Sequence, residues 1–167
     1  DGVMLVNSGN AQSSARVLRA IQELQAQLSA FGFLDVMTPQ KGGAETRSRF
    51  PVNSHAPPKP IRYIINANSL PHSIGGNEAL ATAGITYTGG NVAGTIADSA
   101  NGAAILAHEN VLNRMVAVDL PFTALPTETF FTPNYRISTF FNDEGVQIVH
   151  VPNGTTDGDS FVYFRSS

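Results

Sequence analysis

The 167-residue chain contains no cysteine and no tryptophan, and charged residues make up only 14% of it. The absence of cysteine excludes disulfides, thiolate catalysis and every zinc or iron–sulfur site that depends on cysteine. Ten Lys and Arg stand against 13 Asp and Glu, which gives a net charge of −3. The basic residues are spread thinly and form no stripe that would neutralise a phosphate backbone, so we expect no nucleic-acid partner.

Long apolar runs are also missing. The longest falls far short of the roughly 18 residues that span a bilayer, so the sequence predicts no membrane span. Hydrophobic residues still make up 42% of the chain, which is ordinary for a protein with a packed core. The length is typical of a single domain. The composition does not determine the cellular compartment, because a chain without cysteine is stable in either redox environment.

Apolar periodicity predicts strand, helix and loop in turn over the first part of the chain. Val3–Val6 and Ile61–Ile65 are predicted to be buried strands, because each is a short apolar run next to polar or turn-forming residues. Between them, a helix is predicted to begin near Ser13 and to stop at Gly32. Its apolar positions are Val17, Leu18, Ile21, Leu24, Leu28 and Phe31. Residues 38–60 are rich in Pro and Gly and predict an inserted surface loop.

Strands follow one another more directly towards the end of the chain. We predict a short helix near Asn77–Ala83, then an apolar run over Ala103–Ala107 that leads into a helix over His108–Met115. The last predicted elements are a hairpin and one further strand, over Tyr135–Phe141, Val146–Val151 and Ser160–Phe164. Because strands interleave with helices first and run consecutively later, we predict an α/β fold with a mixed sheet.

Five short segments match landmarks of one fold family in order and with plausible spacing. They are Asp1–Gly9 (DGVMLVNSG), Lys59–Asn66 (KPIRYIIN), Gly75–Asn77 (GGN), Ala107–Val111 (AHENV) and Pro152–Ser160 (PNGTTDGDS). Together they resemble the metallo-β-lactamase superfamily, and its hydrolase-like members most closely. The resemblance covers essentially the whole chain apart from the insertion at 38–60. It implies the first half only of an αββα sandwich, so that residues 1–167 form a single domain or a half-domain.

The metal-binding positions of that family carry other residue types in this chain. The family's loop reads His-x-His-x-Asp-His, because it places imidazoles and a carboxylate around two zinc ions. The matching positions are Asn68, Leu70 and Ser73 in place of His, His72 in place of Asp, and Thr155 in place of a later His. Leucine has no lone pair, and neutral amide and hydroxyl oxygens bind zinc poorly compared with imidazole. Zinc is the cofactor of the family, but these replacements predict none here.

Two further features bear on a metal site. Asn7 stands where the family usually has aspartate. The family's remaining ligands, an aspartate and a last histidine, would fall beyond Ser167. We therefore expect that this chain alone does not hold a dinuclear zinc centre.

The other candidate residues have a functional and a structural interpretation, and we favour the structural one for each. His72 is either a solitary catalytic or ligand histidine, or a loop histidine held by hydrogen bonds or solvent. His108 is interpreted as the start of a helix, and His150 as a strand residue that points away from its apolar neighbours. The carboxylates of Asp157 and Asp159 either converge on a cation or cap backbone amides in a turn.

Two functions from different classes follow. The first is a non-catalytic protein with this fold, a pseudoenzyme that acts as a binding, scaffold or assembly subunit. The second is a fragment or subunit of a metallo-β-lactamase-like hydrolase whose site is completed by another chain, which rests on analogy of fold.

A half-domain also predicts an uncovered apolar sheet face, which soluble monomers do not tolerate over large areas. We expect a homo-oligomer or a partner protein to cover it. The strands expected to border this face carry Val3, Leu5, Ile61, Tyr63, Ile65, Ile148 and Val162.

Overall fold

The computed structural model describes residues 2–37, 60–85, 102–137 and 144–165, with the side chains of 28–37 left aside. The chain divides into two compact units, Asp1–Ala15 with Pro60–Ser167, and Arg16–Lys59. All but the first two residues of helix α1 (Ser14–Met37) belong to the second unit. The predicted helix stop at Gly32 is wrong, because a glycine inside a helix costs only about 1 kcal/mol and need not end it. The predicted loop at 38–60 lies outside the described residues except for Pro60.

The first unit contains a four-stranded parallel sheet. Its strands are β1 (Val3–Val6), β2 (Ile61–Asn66), β3 (Ala104–His108) and β4 (Glu128–Phe130), in the spatial order β1-β2-β3-β4. All five residues of the central strand β3 are buried. An almost continuous apolar strand is what a parallel sheet covered on both faces requires.

A second, three-stranded antiparallel sheet follows in the chain. It consists of β5 (Asn134–Arg136), β6 (Val146–His150) and β7 (Ser160–Phe164), in the order β5-β6-β7. Val146 and Ile148 on β6 are buried, whereas the residue between them is half-buried, so this sheet has an inner and an outer face. The antiparallel pairing of the predicted hairpin and the final strand are confirmed. Of the first predicted strand, Tyr135–Phe141, only Tyr135 and Arg136 lie in β5, and residues 138–143 lie outside the described part.

Short helices connect the parallel strands. They are α2 (Pro71–Ile74), α3 (Asn77–Thr82) and α4 (Glu109–Ala117). Proline begins α2, where its missing N–H is not needed. His108 is the N-cap of α4, because its Nδ1 accepts a hydrogen bond from the Asn110 N–H at 3.2 Å. This confirms that His108 starts a helix. None of the described helices is long and apolar enough to cross a membrane.

Two clusters of apolar side chains hold the layers together. The cluster between the two sheets consists of Ile65, Leu106, Phe130, Ile137, Val146 and Ile148, with Met4, Tyr63, Tyr135, Val162 and Phe164 packed against it. The cluster under the helices consists of Ile74, Ala107, Val111 and Met115. Leu106 and its neighbour Ala107 point to opposite faces of the parallel sheet. The antiparallel sheet therefore covers one face of the parallel sheet, and helices cover the other.

This packing corrects the expected uncovered face. Ile61, Ile65 and Ile148 are at most 4% exposed, and Tyr63 and Val162 pack against the inter-sheet cluster. These residues are covered because this one stretch of sequence supplies strands to both sheets, whereas Val3 and Leu5 are half-buried. Two exposed aromatic side chains, Phe161 and Tyr163, lie on the outer face of the antiparallel sheet, and that face is described below.

Candidate functional site

The end of strand β1 anchors the loops that follow β1 and β2. Asn7 has a positive φ of 63°, a conformation that asparagine tolerates better than most residues. Its Oδ1 accepts a hydrogen bond from the Ala67 N–H at 2.9 Å. The N–H and Oγ of Ser8 both donate to the Ser73 carbonyl, at 2.7 and 3.1 Å. The residue at position 7, expected as an aspartate in the family, thus has a structural partner here.

A cavity of about 360 Å³ lies beside these loops. Its lining residues are Ala67, Asn68, Val151, Gly154, Thr155, Asp159, Ser160 and Phe161. The structure therefore brings together two of the five ligand-equivalent positions, Asn68 and Thr155, although they are far apart in sequence. This is the candidate functional site, and we call it the loop cavity.

The other three ligand-equivalent positions do not line the loop cavity. Leu70 is the N-cap residue of α2, and His72 is exposed on that helix. Ser73 is only 4% exposed, and its carbonyl holds Ser8. His72 is therefore a surface residue of helix α2 and not a loop residue.

The polar groups of the loop cavity largely serve the backbone. Asn68 Oδ1 accepts from the Leu70 N–H at 3.0 Å. The Asp159 carboxylate accepts from the Thr155 N–H at 2.6 Å and from the Thr156 hydroxyl. Although desolvation raises the pKa of Asp159, these hydrogen bonds and the charge of Arg114 together lower it below its usual value. Asp159 is thus an ionised cap of the loop, as the turn interpretation predicts.

Asp157 has a different role from the one expected. Its carboxylate pairs with Arg114 at 2.6 Å between Oδ1 and Nε, with both side chains about half exposed, and does not cap a backbone amide. Its carbonyl accepts from Asn110 Nδ2 at 2.9 Å and lies 2.7 Å from His150 Nε2. The loop that carries Thr155 is thereby attached to helix α4 and to strand β6. Across the described residues, no three His, Cys, Asp or Glu side chains are grouped so that they could hold a metal ion.

Two histidines stack beneath this loop. The rings of His108 and His150 lie 3.6 Å apart at their centroids, with an angle of 12° between their planes. His108 is 5% exposed, and its Nε2 has no hydrogen-bond partner among the described residues. Since Nδ1 is an acceptor, the proton of a neutral His108 resides on Nε2. Desolvation, followed by the charge of the neighbouring His150, lowers the pKa of His108, against smaller opposite effects of Glu109 and Asp157.

We expect the stability of the protein to fall as the pH decreases below about 6.5, the ordinary pKa of histidine. Above that value His108 is neutral in both the folded and the unfolded chain. Below it the unfolded chain binds a proton that folded His108 binds only at lower pH. The free energy of unfolding should therefore drop by up to about 1.4 kcal/mol per pH unit until the folded pKa is reached.

Urea unfolding at pH 7.5, 6.5 and 5.5 measures this dependence. The variant His108→Asn keeps a cap for the Asn110 N–H and should remove most of the pH dependence of the free energy of unfolding. The matched control, His72→Asn, changes an exposed histidine and should leave the pH dependence intact. If the free energy of unfolding changes equally with pH in the unmodified protein and in His108→Asn, His108 is not the group that causes the pH dependence.

Comparison with known proteins agrees with this architecture. No protein-family model matches the sequence, and no curated protein matches it. Among solved structures, a metallo-beta-lactamase from Cronobacter sakazakii (Enterobacter sakazakii), described as a HARLDQ motif mutant, is similar over 98% of this chain, with a TM-score of 0.54 and 15% sequence identity. The match covers 48% of that chain, so the present chain spans about half its length. At this identity the likeness shows the fold alone, and the mixed α/β arrangement with its parallel sheet corresponds to part of a metallo-β-lactamase fold.

Proposed function

We propose that the protein is a non-catalytic binding protein built on part of a metallo-β-lactamase-like fold. One observation supports this proposal most. The ligand-equivalent positions that line the loop cavity, Asn68 and Thr155, carry an amide and a hydroxyl. The Asn68 oxygen already accepts a backbone hydrogen bond. Such neutral oxygens do not compete with imidazole for zinc.

The loop cavity has the chemistry of a site for a small polar molecule. Its volume of about 360 Å³ falls within the range of small-molecule sites. Thr155 and Ser160 offer hydroxyl groups, and the Phe161 side chain, 70% exposed, offers an apolar surface. The one carboxylate among the described residues that line the cavity, Asp159, already accepts hydrogen bonds within the loop. We infer a neutral ligand that is bound by hydrogen bonds and apolar contact.

The second candidate function is that of a hydrolase whose site is completed by another chain. The structural neighbour is described as a metallo-beta-lactamase that is a HARLDQ motif mutant. The present chain matches only 48% of that neighbour. In this alternative, the missing metal ligands would come from a partner chain.

Metal analysis tests the non-catalytic proposal. We expect the purified protein to carry well below one zinc per chain at neutral pH and to show no shift in thermal unfolding when zinc is added, since imidazole ligands are missing from the loop cavity. The double variant Asn68→His/Thr155→His places two imidazoles there and serves as the positive control for weak zinc binding.

The opposite result would be one or two zinc ions per chain that are lost in Asn68→Ala/Thr155→Ala. That outcome would reject the non-catalytic proposal and favour the hydrolase. Hydrolysis assays with a chromogenic β-lactam and a thioester, run with and without added zinc, extend the same comparison to activity.

A further inference from the structure

A second cavity, of about 430 Å³, lies at the end of the antiparallel sheet where β5 ends and β6 begins. Its lining residues are Arg136, Ile137, Gly145, Val146, Gln147, Tyr163 and Arg165. We call it the arginine cavity. It shares no lining residue with the loop cavity.

Strand register places the polar side chains of the arginine cavity side by side. Arg136 is opposite Gln147, and Gln147 is opposite Tyr163, so the three form one row across β5, β6 and β7. Arg165 follows Tyr163 by two residues and its N–H donates to the Gly145 carbonyl at 2.9 Å. Since side chains two residues apart in a strand point to the same face, Arg165 lies on the same face as this row, one row further along, just after the end of β7.

Neither guanidinium group has an anionic partner among the residues that the structure describes. Within the part of the chain that the structure describes, the recorded ion pair is that of Arg114 with Asp157, and it involves neither Arg136 nor Arg165. Both arginines are exposed. Two like charges that line one cavity repel each other, and an anion that contacts both removes this repulsion. Guanidinium groups bind carboxylate and phosphate with paired, directional hydrogen bonds.

The remaining walls provide an apolar and a neutral polar surface. Tyr163 is 59% exposed, so its ring face is available to stack on a flat group. Gln147 uses its Nε2 to donate to Asn134 at 3.1 Å, which leaves its side-chain oxygen available as an acceptor. Phe161, two residues before Tyr163 on the same face of β7, extends the exposed aromatic surface.

We propose that the arginine cavity binds a small organic anion. Its carboxylate or phosphate group contacts Arg136 and Arg165, and its aromatic or other flat part stacks on Tyr163. An anion without a flat part would use the arginines alone, and a neutral analogue would use Tyr163 alone, so neither should bind as tightly as a molecule with both features.

Binding is tested on the full chain with benzoate, phenyl phosphate, inorganic phosphate and benzamide, by calorimetric titration or ligand-observed NMR. We expect benzoate or phenyl phosphate to bind at least tenfold more tightly than inorganic phosphate and benzamide. The stronger of the two identifies the anionic group as carboxylate or phosphate. Arg136→Gln and Arg165→Gln should each weaken binding about tenfold, and Tyr163→Ala should remove the preference for aromatic anions over inorganic phosphate.

The matched control is Arg19→Gln, which removes the same charge from the exposed side of helix α1 and should leave binding unchanged. Thermal unfolding of each variant checks that the fold is intact, which we expect because the substituted side chains are exposed. Equal binding of all four probes, or equal losses for Arg19→Gln and Arg136→Gln, would overturn the proposal. Zinc binding at the loop cavity would not affect this test, since Arg136, Tyr163 and Arg165 do not line that cavity.

Discussion

Replacing Asn77 with alanine is expected to lower the free energy of unfolding by about 4 kcal/mol, because several buried polar groups lose their partners. Asn66 and Asn77 are 1% and 0% exposed. Their amides pair reciprocally, with Nδ2 to Oδ1 distances of 3.0 and 2.8 Å, and Asn77 Nδ2 also donates to the Ala124 carbonyl at 2.9 Å. The pair joins the end of strand β2 to the start of helix α3.

Urea unfolding of the unmodified protein and of Asn77→Ala measures this loss. The control Asn113→Ala removes an exposed asparagine from helix α4 and should change stability by less than about 0.5 kcal/mol. The double variant Asn66→Ala/Asn77→Ala should cost less than the sum of the single variants, since the amides depend on each other. If Asn77→Ala costs no more than the control, the amide pair does not hold β2 to α3.

Replacing Gly76 with alanine is expected to cost about 3 kcal/mol, because a close-packed backbone cannot accept the added methyl group without shifting. A Cβ at this position would overlap the Ser8 carbonyl oxygen and lie 2.9 Å from Ser14 Oγ. The Ser8 backbone cannot easily move away, since its N–H is bonded to the Ser73 carbonyl at 2.7 Å. Gly76 itself donates to the Gly9 carbonyl at 3.0 Å.

Gly145→Ala is the matched control for this variant. Its Cβ would meet only the Arg165 side chain, at 3.4 Å, and should change the free energy of unfolding by less than about 1 kcal/mol. The same urea titration serves for both glycines. If the two variants have the same free energy of unfolding, the contact between the loop after β1 and the junction of α2 with α3 does not contribute to stability.

Local patterns in the sequence predict most of the regular elements. Strands β1 and β2, and helices α3 and α4, lie close to where apolar periodicity and turn residues place them. Strand β4 was missed because two of its three residues, Glu128 and Thr129, are exposed. Its place in the sheet comes from pairing with β3, and that pairing leaves no local pattern.

Contacts between distant residues explain what the sequence left undetermined at the candidate site. Asn68 and Thr155, which the resemblance to the family associates with one metal site, both line the loop cavity. The stacking of His108 on His150 and the buried pair of Asn66 with Asn77 depend on how strands and helices pack. A single polar residue in a sequence does not indicate which distant residue it pairs with. The local sequence around each histidine therefore predicted a structural role but not its partner.

Strand β1 joins its sheet only through residues that are distant in the chain. The Asn7 side chain bonds the backbone of Ala67, 60 residues away, and the Ser8 hydroxyl bonds Ser73, 65 residues away. Closing so long a loop carries a large entropic cost before any contact compensates for it, and nonlocal parallel pairing slows folding. Strands β5, β6 and β7 are instead neighbours in sequence as well as in space. We therefore expect the antiparallel sheet to form early during folding and the β1 edge to close last.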